Sequence, residues 1–236
     1  MNRPYIIYHM TVSMDGKING SFLDSPACKP LNDFYYECHR GFKANGFLCG
    51  RVTMAESFTG PESPDLAPWA DERFDREDYV ACADADFYAV ALDPTGQLNW
   101  PDSRIHDEDP GYDNAHVIEV LCTDVSDAYL GFLRDRGISY LFAGEHTPDL
   151  TLAMAKLKSL FGMELLLLEG GGITGRGFAL ADLIDEVSFL MAPTMSEDGT
   201  VGLFGPEGEE VPQAPDYPHR EVLAAPGGAL WVRQWK

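Results

Sequence analysis

The stretch that decides the fold, LLLLEGGGITGRGFALADL, occupies residues 165–183. Its four leucines suit a strand buried on both faces. The three glycines that follow allow positive φ angles and leave room for a ligand beside the backbone. A helix predicted over residues 174–183 would direct its free N–H groups and its dipole toward that ligand. The stretch therefore predicts a strand–turn–helix unit that can bind a pyrophosphate, although a tight turn without a ligand explains the glycines equally well.

Glu169 stands between the leucines and the glycines, at the carboxyl end of the predicted strand. Open α/β sheets bind their ligands at this edge. The carboxylate could accept a hydrogen bond from a sugar hydroxyl or an amine of a substrate. The alternative is a carboxylate that only accepts hydrogen bonds from neighbouring backbone N–H groups. The glycines do not follow the GxGxxG spacing, so an ordinary Rossmann site is not indicated.

Two further segments place polar residues at strand ends. The segment SMDGK follows a predicted strand at residues 5–12, and its Asp15 and Lys17 flank a glycine, so they could converge on one ligand. A simple Asp-Gly turn explains the same letters. The segment LCGRVT ends a predicted strand at residues 46–50 and starts a helix with Arg51 and Thr53, whose side chains suit phosphate oxygens.

The rest of the chain alternates short apolar runs with helical patterns. Because strand–helix–strand units of this spacing imply parallel pairing with crossover helices, we predict an α/β fold with a central, mostly parallel mixed sheet and helices on both faces. A hairpin at residues 217–235, turning at Pro226-Gly227-Gly228, predicts an antiparallel C-terminal edge. No linker divides the chain, so one domain over residues 1–236 is expected. Further strands are predicted at residues 79–83, 87–92, 117–122, 138–143 and 186–193, and further helices at 31–44, 51–58, 124–136 and 148–161.

Composition excludes several classes of protein. The formal net charge is −21, with 17 basic and 38 acidic residues, which disfavours nucleic-acid binding because phosphate contacts need clustered Lys and Arg. Neither a membrane span nor a signal peptide is indicated. The five cysteines are isolated and form no CxxC pair, which favours a reducing cytoplasm over disulfides or a metal site.

Taken together, TVSMDGKING, FLCGRVTMAESF, YLFAG and the long stretch from LLLLEGGG to MAPTM resemble the dihydrofolate reductase-like superfamily. The closer resemblance is to the C-terminal reductase domain of the bifunctional deaminase–reductase of riboflavin biosynthesis, and it covers nearly the whole chain. It implies NADPH-dependent hydride transfer to a small heterocyclic or ribosylamino-pyrimidine-like substrate, and a homodimer. The zinc motifs of the deaminase half are absent from the sequence, so deamination is not expected.

The resemblance also implies roles for individual residues. Glu169 and Lys17 would contact the substrate, and Asp15 and Glu169 are the acids nearest to the chemistry, with protonation relayed by water. The residues that match the cofactor-binding motifs are Ser13, Gly50, Arg51, Thr53, Ser57, Gly170, Gly171, Gly172, Ile173 and Thr174.

Two other functions share these features. A dihydrofolate or pterin reductase would need a carboxylate in the first helix to anchor the pterin, and Asp33 is the candidate near the start of that helix. A non-catalytic protein that binds NADP would have the same glycine-rich turn and would differ only in lacking turnover.

Overall fold

The computed structural model describes residues 1–205 and 216–236, and it divides into two compact units. The first unit comprises residues 1–4 and 45–164, and the second comprises residues 5–44 and 165–236. Each unit has its own group of paired strands and its own helices. The expectation of a single domain over residues 1–236 stays a prediction.

The described residues form nine strands and five α-helices. The strands are β1 (Tyr5–Val12), β2 (Gly46–Gly50), β3 (Tyr88–Leu92), β4 (His116–Leu121), β5 (Ser139–Phe142), β6 (Leu165–Gly170), β7 (Glu186–Met191), β8 (His219–Ala224) and β9 (Leu230–Trp235). The helices are α1 (Lys29–Phe42), α2 (Arg51–Met54), α3 (Asp127–Asp135), α4 (Leu150–Phe161) and α5 (Gly172–Leu180).

In the first unit, four parallel strands lie in the order β5-β4-β3-β2. All six residues of β4 are buried, as expected for a parallel strand covered on both faces. Helices α3 and α4 of this unit begin at side-chain caps: Ser126 accepts from the N–H of Tyr129, and Asp149 accepts from the N–H of Leu152. Gly162 ends α4 with a φ of 66°, the left-handed conformation that suits glycine.

In the second unit, the strands lie in the order β6-β1-β7-β9-β8. Strands β6, β1 and β7 are parallel, and β9 pairs antiparallel with β7 and with β8. The predicted hairpin at the C-terminus is therefore confirmed, and so is the predicted fold class, an α/β fold with a mostly parallel sheet and an antiparallel C-terminal edge.

Several predicted element bounds are wrong. Residues 79–83 form no strand, because only Tyr79 pairs with Tyr140 before the N–H of Ala81 turns to the hydroxyl of Ser139. Strand β6 continues through Gly170 instead of ending at residue 168. Helix α5 begins at Gly172, two residues earlier than predicted. Within the described ranges, no helix is both long enough and apolar enough to cross a membrane.

Candidate functional site

The turn after β6 is tighter than the three glycines suggested. Gly170 belongs to β6 and Gly172 to α5, so only Gly171 adopts a positive φ, at 78°. A Cβ atom on Gly172 would collide with the backbone oxygen of Gly202 and would lie 2.8 Å from the nitrogen of Gly205. The expectation that all three glycines leave room for a ligand is therefore wrong, because Gly172 makes room for the chain's own residues 201–205.

The N-terminal turn of α5 nevertheless offers donors to an anion. The N–H groups of Gly172, Ile173 and Thr174 precede the first intrahelical bond, which runs from Gly175 to Gly171. No residue in the described part of the chain accepts a hydrogen bond from these three groups. Ile173 is 75% exposed, whereas Gly172 and Thr174 are buried, so the turn reaches solvent at Ile173. These donors and the helix dipole suit a phosphate oxygen.

Glu169 is paired with a histidine that the sequence analysis did not single out. The Nδ1 atom of His39 in α1 lies 2.8 Å from Oε1 of Glu169, and both side chains are only 2% exposed. This is a buried hydrogen bond between a carboxylate and an imidazole at the end of β6. The alternative in which Glu169 is satisfied by backbone N–H groups alone is therefore not what the structure shows.

A second buried histidine, His9 in β1, lies beside this pair. Its Nδ1 is 3.0 Å from Oγ of Ser188 in β7, and its ring stacks on Tyr35 of α1 with centroids 4.4 Å apart. The hydroxyl of Ser188 also accepts a 2.8 Å hydrogen bond from the indole N–H of Trp231. Burial lowers the pKa of His9, an effect that the nearby Glu169 carboxylate partly offsets. Buried polar side chains of β1, β6 and β7 thus lie close together beneath α1.

The turn after β1 uses its polar groups to hold itself together. The N–H of Lys17 donates to the hydroxyl of Ser13, and the N–H of Ser13 donates to the carbonyl of Lys17, both at 2.9 Å. Asp15 is exposed and accepts from the N–H of Ser196 at 2.9 Å, a bond that holds the pKa of this carboxyl below its usual range. Gly16 has a φ of 82° and supplies the bend. Ser13 and Asp15 therefore shape this turn, whatever else they bind.

The GRVT segment lies in the first unit, at the carboxyl end of β2. Gly50 precedes α2 in an extended conformation, Arg51 and Thr53 are half-buried, and Ser57 is exposed. Arg51 lies near enough to Asp93, the residue after β3, to lower its pKa, although burial has the larger effect and raises it. The charge of Arg51 therefore acts on a buried acid as well as on any phosphate that binds there.

The pterin-anchoring candidate does not lie beside Glu169. Asp33 is exposed on α1, whereas His39 is buried and Tyr35 half-buried on the face that packs on the sheet. The residue of α1 that reaches the end of β6 is therefore a histidine. The spacing of Tyr35 and His39, four residues apart in a predicted helix, is the one sequence signal that could have indicated them.

Neither a protein-family model nor a curated protein matches this chain. Solved structures do match it. A pyrimidine reductase-like protein of Corynebacterium diphtheriae superposes with a TM-score of 0.67 at 16% identity, covering 99% of this chain and 92% of that one. A riboflavin biosynthesis reductase of Saccharomyces has a TM-score of 0.63 at 12% identity, covering 100% of this chain and 90% of the other.

The RibD protein of Acinetobacter baumannii superposes with a TM-score of 0.64 at 19% identity over 100% of this chain, which spans only 58% of that protein. At such identities, the superpositions establish a shared fold. The resemblance drawn from the sequence is confirmed at that level: this chain has the fold of the pyrimidine reductase-like and riboflavin-biosynthesis reductase structures.

Proposed function

We propose that this chain is an NADPH-dependent reductase that transfers a hydride to a small heterocyclic substrate of the 5-amino-6-(5-phosphoribosylamino)uracil type, in the cytoplasm. The observation that carries the proposal is the end of β6, where the buried Glu169 directly precedes the turn at Gly171 and the open first turn of α5. Two proteins that share this fold support the substrate class: the riboflavin biosynthesis reductase of Saccharomyces, and a deaminase/5-amino-6-(5-phosphoribosylamino)uracil reductase of Thermotoga maritima.

The groups available in this chain suit a nicotinamide dinucleotide phosphate. The N–H groups of Gly172, Ile173 and Thr174 can donate hydrogen bonds to the oxygens of a pyrophosphate. Arg51 and Thr53 carry a guanidinium and a hydroxyl, the pair expected for a 2′-phosphate. We propose the same cofactor for the other residues that match the binding motifs, namely Ser13, Gly50, Ser57, Gly170 and Gly171.

The chemistry divides between cofactor and protein. The cofactor, when bound, supplies a hydride to an electrophilic C=N or C=O carbon of the substrate. Glu169 would accept a hydrogen bond from a substrate hydroxyl or amine, and Lys17 would donate one. One proton must then reach the atom bonded to the reduced carbon. Asp15 is exposed and can exchange that proton through water, whereas Glu169 is enclosed.

Cofactor binding tests the proposal first. NADPH and NADH are titrated by fluorescence into the wild type, an Arg51→Ala/Thr53→Ala variant and a Gly171→Val variant. We expect tighter binding of NADPH than of NADH, loss of that preference in the double variant, and at least about tenfold weaker binding of both cofactors in the valine variant. Gly162→Val is the matched control, because Gly162 has a similar φ of 66° at the end of α4. Equal affinity for the two cofactors would contradict the role of Arg51 and Thr53.

Turnover separates the proposed function from its alternatives. NADPH oxidation is followed with 5-amino-6-(5-phosphoribosylamino)uracil, dihydrofolate and a flavin. Turnover of the uracil compound is the expected result. Turnover of dihydrofolate alone, abolished by Asp33→Asn, would favour the pterin reductase, which the exposure of Asp33 disfavours. Binding of NADPH without turnover of any of the three would favour the non-catalytic NADP-binding protein.

We also propose a homodimer that forms through the C-terminal hairpin. All six residues of the edge strand β8 are exposed, including Val222 at 57%, and Leu230 of β9 is 43% exposed. An exposed edge strand with apolar side chains is a ready surface for pairing with another strand. Light scattering should give a dimer for the wild type and a monomer for Val222→Lys. A monomeric wild type would refute this part of the proposal.

A further inference from the structure

The feature that the proposed function leaves unexplained is the histidine beside Glu169. His39 and Glu169 are joined at 2.8 Å, and each side chain is 2% exposed. A buried carboxylate that has to accept a substrate hydroxyl must keep one orientation, because a misplaced acceptor loses its hydrogen bond. His39 comes from α1, which is far from β6 in the sequence but in direct contact with its end. His39 can hold Glu169 in one orientation only if the imidazole is itself held in place.

The strands beneath α1 supply that support. The register of β6 and β1 pairs Leu168 with Tyr8, so Glu169, the next residue of β6, lies next to His9. His9 pairs with Ser188 in β7. Three polar residues therefore stand side by side on three neighbouring strands, on the side covered by α1. The hydrogen bonds His9–Ser188 and His39–Glu169 are both buried, and buried polar groups are rigid when they are hydrogen-bonded.

Helix α1 is tied to this row one turn before His39. Tyr35 stacks on the ring of His9 with an interplanar angle of 13°, and its hydroxyl lies 3.5 Å from the carbonyl of His9. Since residues four apart lie on the same face of a helix, locking Tyr35 also fixes the position of His39. The contacts of Tyr35 with β1 thus fix the position of α1, and α1 in turn fixes the position of the imidazole that is bonded to Glu169.

We propose that His39 is a positioning residue: its Nδ1–H donates to Glu169 and holds the carboxylate in the orientation that accepts a hydrogen bond from a hydroxyl or amine of the substrate. This inference rests on the proposed function and adds to it a residue that acts on substrate binding through Glu169. Its signature is a change in the KM for the substrate without a change in the binding of NADPH.

The experiment compares His39→Leu with His39→Asn and His39→Gln in the full chain. An asparagine places its amide N–H group near the position of Nδ1, whereas a glutamine places it near Nε2. We expect the KM for 5-amino-6-(5-phosphoribosylamino)uracil to rise about 10- to 100-fold in His39→Leu, the loss expected for a hydrogen bond to a charged group. His39→Asn should recover most of this loss and His39→Gln should not, while the Kd of NADPH changes by less than about twofold in all three.

His116→Leu is the matched control. His116 is also a buried histidine, 2% exposed, with its Nε2 2.9 Å from the hydroxyl of Ser139, but it lies in the first unit. Its removal should leave the KM unchanged. An active wild type with an unchanged KM in His39→Leu, or equal defects in the Asn and Gln variants, would overturn the inference and leave the proposed function standing. If His39→Leu does not fold, the comparison of Asn with Gln decides alone. An inactive wild type overturns both.

Discussion

A glutamate is buried on a parallel strand in each unit, Glu169 in β6 and Glu119 in β4, and the two have different hydrogen-bond partners. Glu169 of β6 is bonded to the imidazole of His39. Glu119 of β4 accepts hydrogen bonds from the neutral indole N–H of Trp100 and, at 3.4 Å, from the hydroxyl of Tyr129. The second oxygen of Glu119 has no hydrogen-bond partner in the part of the chain that the structure describes. The two carboxyl groups therefore differ in their partners: Glu169 is bonded to an imidazole, and Glu119 to an indole and a phenol.

The position on the strand explains the difference. Glu119 lies inside β4, between neighbouring strands and with no exposed surface, so it has no route to a ligand. Burial raises its pKa well above the usual value, and the nearby Asp93 adds to this effect, which favours the protonated form of Glu119. Glu169 lies one residue before the end of its strand, next to an open turn. A buried carboxyl group in an α/β sheet is a functional candidate when it lies at the strand end and has an ionisable partner.

The largest expected effect comes from breaking the histidine pair. His39→Leu removes the donor and leaves the Glu169 carboxylate buried, which should lower the free energy of unfolding by about 3 kcal/mol. Urea unfolding monitored by circular dichroism measures it. The double variant His39→Leu/Glu169→Leu should recover a large part of this loss, because no buried charge then lacks its donor. A double variant less stable than the single one would show that Glu169 is stabilised mainly by other contacts.

The pair of Glu169 and His39 also shows how much of the site could be predicted from the sequence. The alternation of apolar runs gave the fold class, and the run LLLLE placed Glu169 at the strand end correctly, because both depend on local periodicity. His39 lies 130 residues away from Glu169 in the sequence. Their contact depends on how α1 packs across the strands, which no local pattern encodes. Within α1, Cys38 and His39 are buried, whereas the aromatic side chains of Phe34 and Phe42 are only half-buried.

At the glycines, by contrast, a local sequence pattern was present but predicted the wrong use of the space. Three consecutive glycines predicted an open loop, because each lacks a Cβ atom and tolerates positive φ. The structure needs them for separate reasons: Gly171 for its φ of 78°, and Gly172 for the close approach of the backbone at Gly202 and Gly205. Sequence alone cannot tell room for a ligand from room for a distant part of the same chain.

Gly172→Ala should therefore give the second-largest effect. The added methyl group would collide with the backbone at Gly202, which has no flexible end that could move aside. We expect a loss of about 2 kcal/mol in the free energy of unfolding, in the range measured for overpacked interiors. An unchanged stability in urea would show that residues 201–205 adjust freely. Only then would Gly172 count among the residues that leave room for a ligand beside Glu169.

Glu119→Gln tests the other half of the comparison through pH. The pKa of Glu119 is higher in the folded chain than its ordinary value of 4.5, so above that pH the folded state binds more protons than the unfolded state. Stability contributed by this group is therefore lost as the pH rises from about 4.5 to the folded pKa, by up to about 1.4 kcal/mol per pH unit. Glutamine does not titrate and keeps an acceptor oxygen for Trp100. The variant should gain stability relative to the wild type as the pH rises, and a difference that does not depend on pH would contradict a protonated Glu119.

The smallest expected effect separates the histidine pair from the general stability of its helix. Gly41 lies two residues after His39 in α1, and an added Cβ would have no atom within 4 Å, since this side of the helix faces a groove of about 340 Å³ lined also by Phe42 and Trp231. Gly41→Ala should raise the free energy of unfolding by about 0.5 to 1 kcal/mol, because alanine loses less backbone entropy in a helix. The KM for the substrate should stay at the wild-type value. A KM that changed with this substitution would mean that substrate binding follows the stability of α1 as a whole, and the specific role of the His39 donor would lose its support.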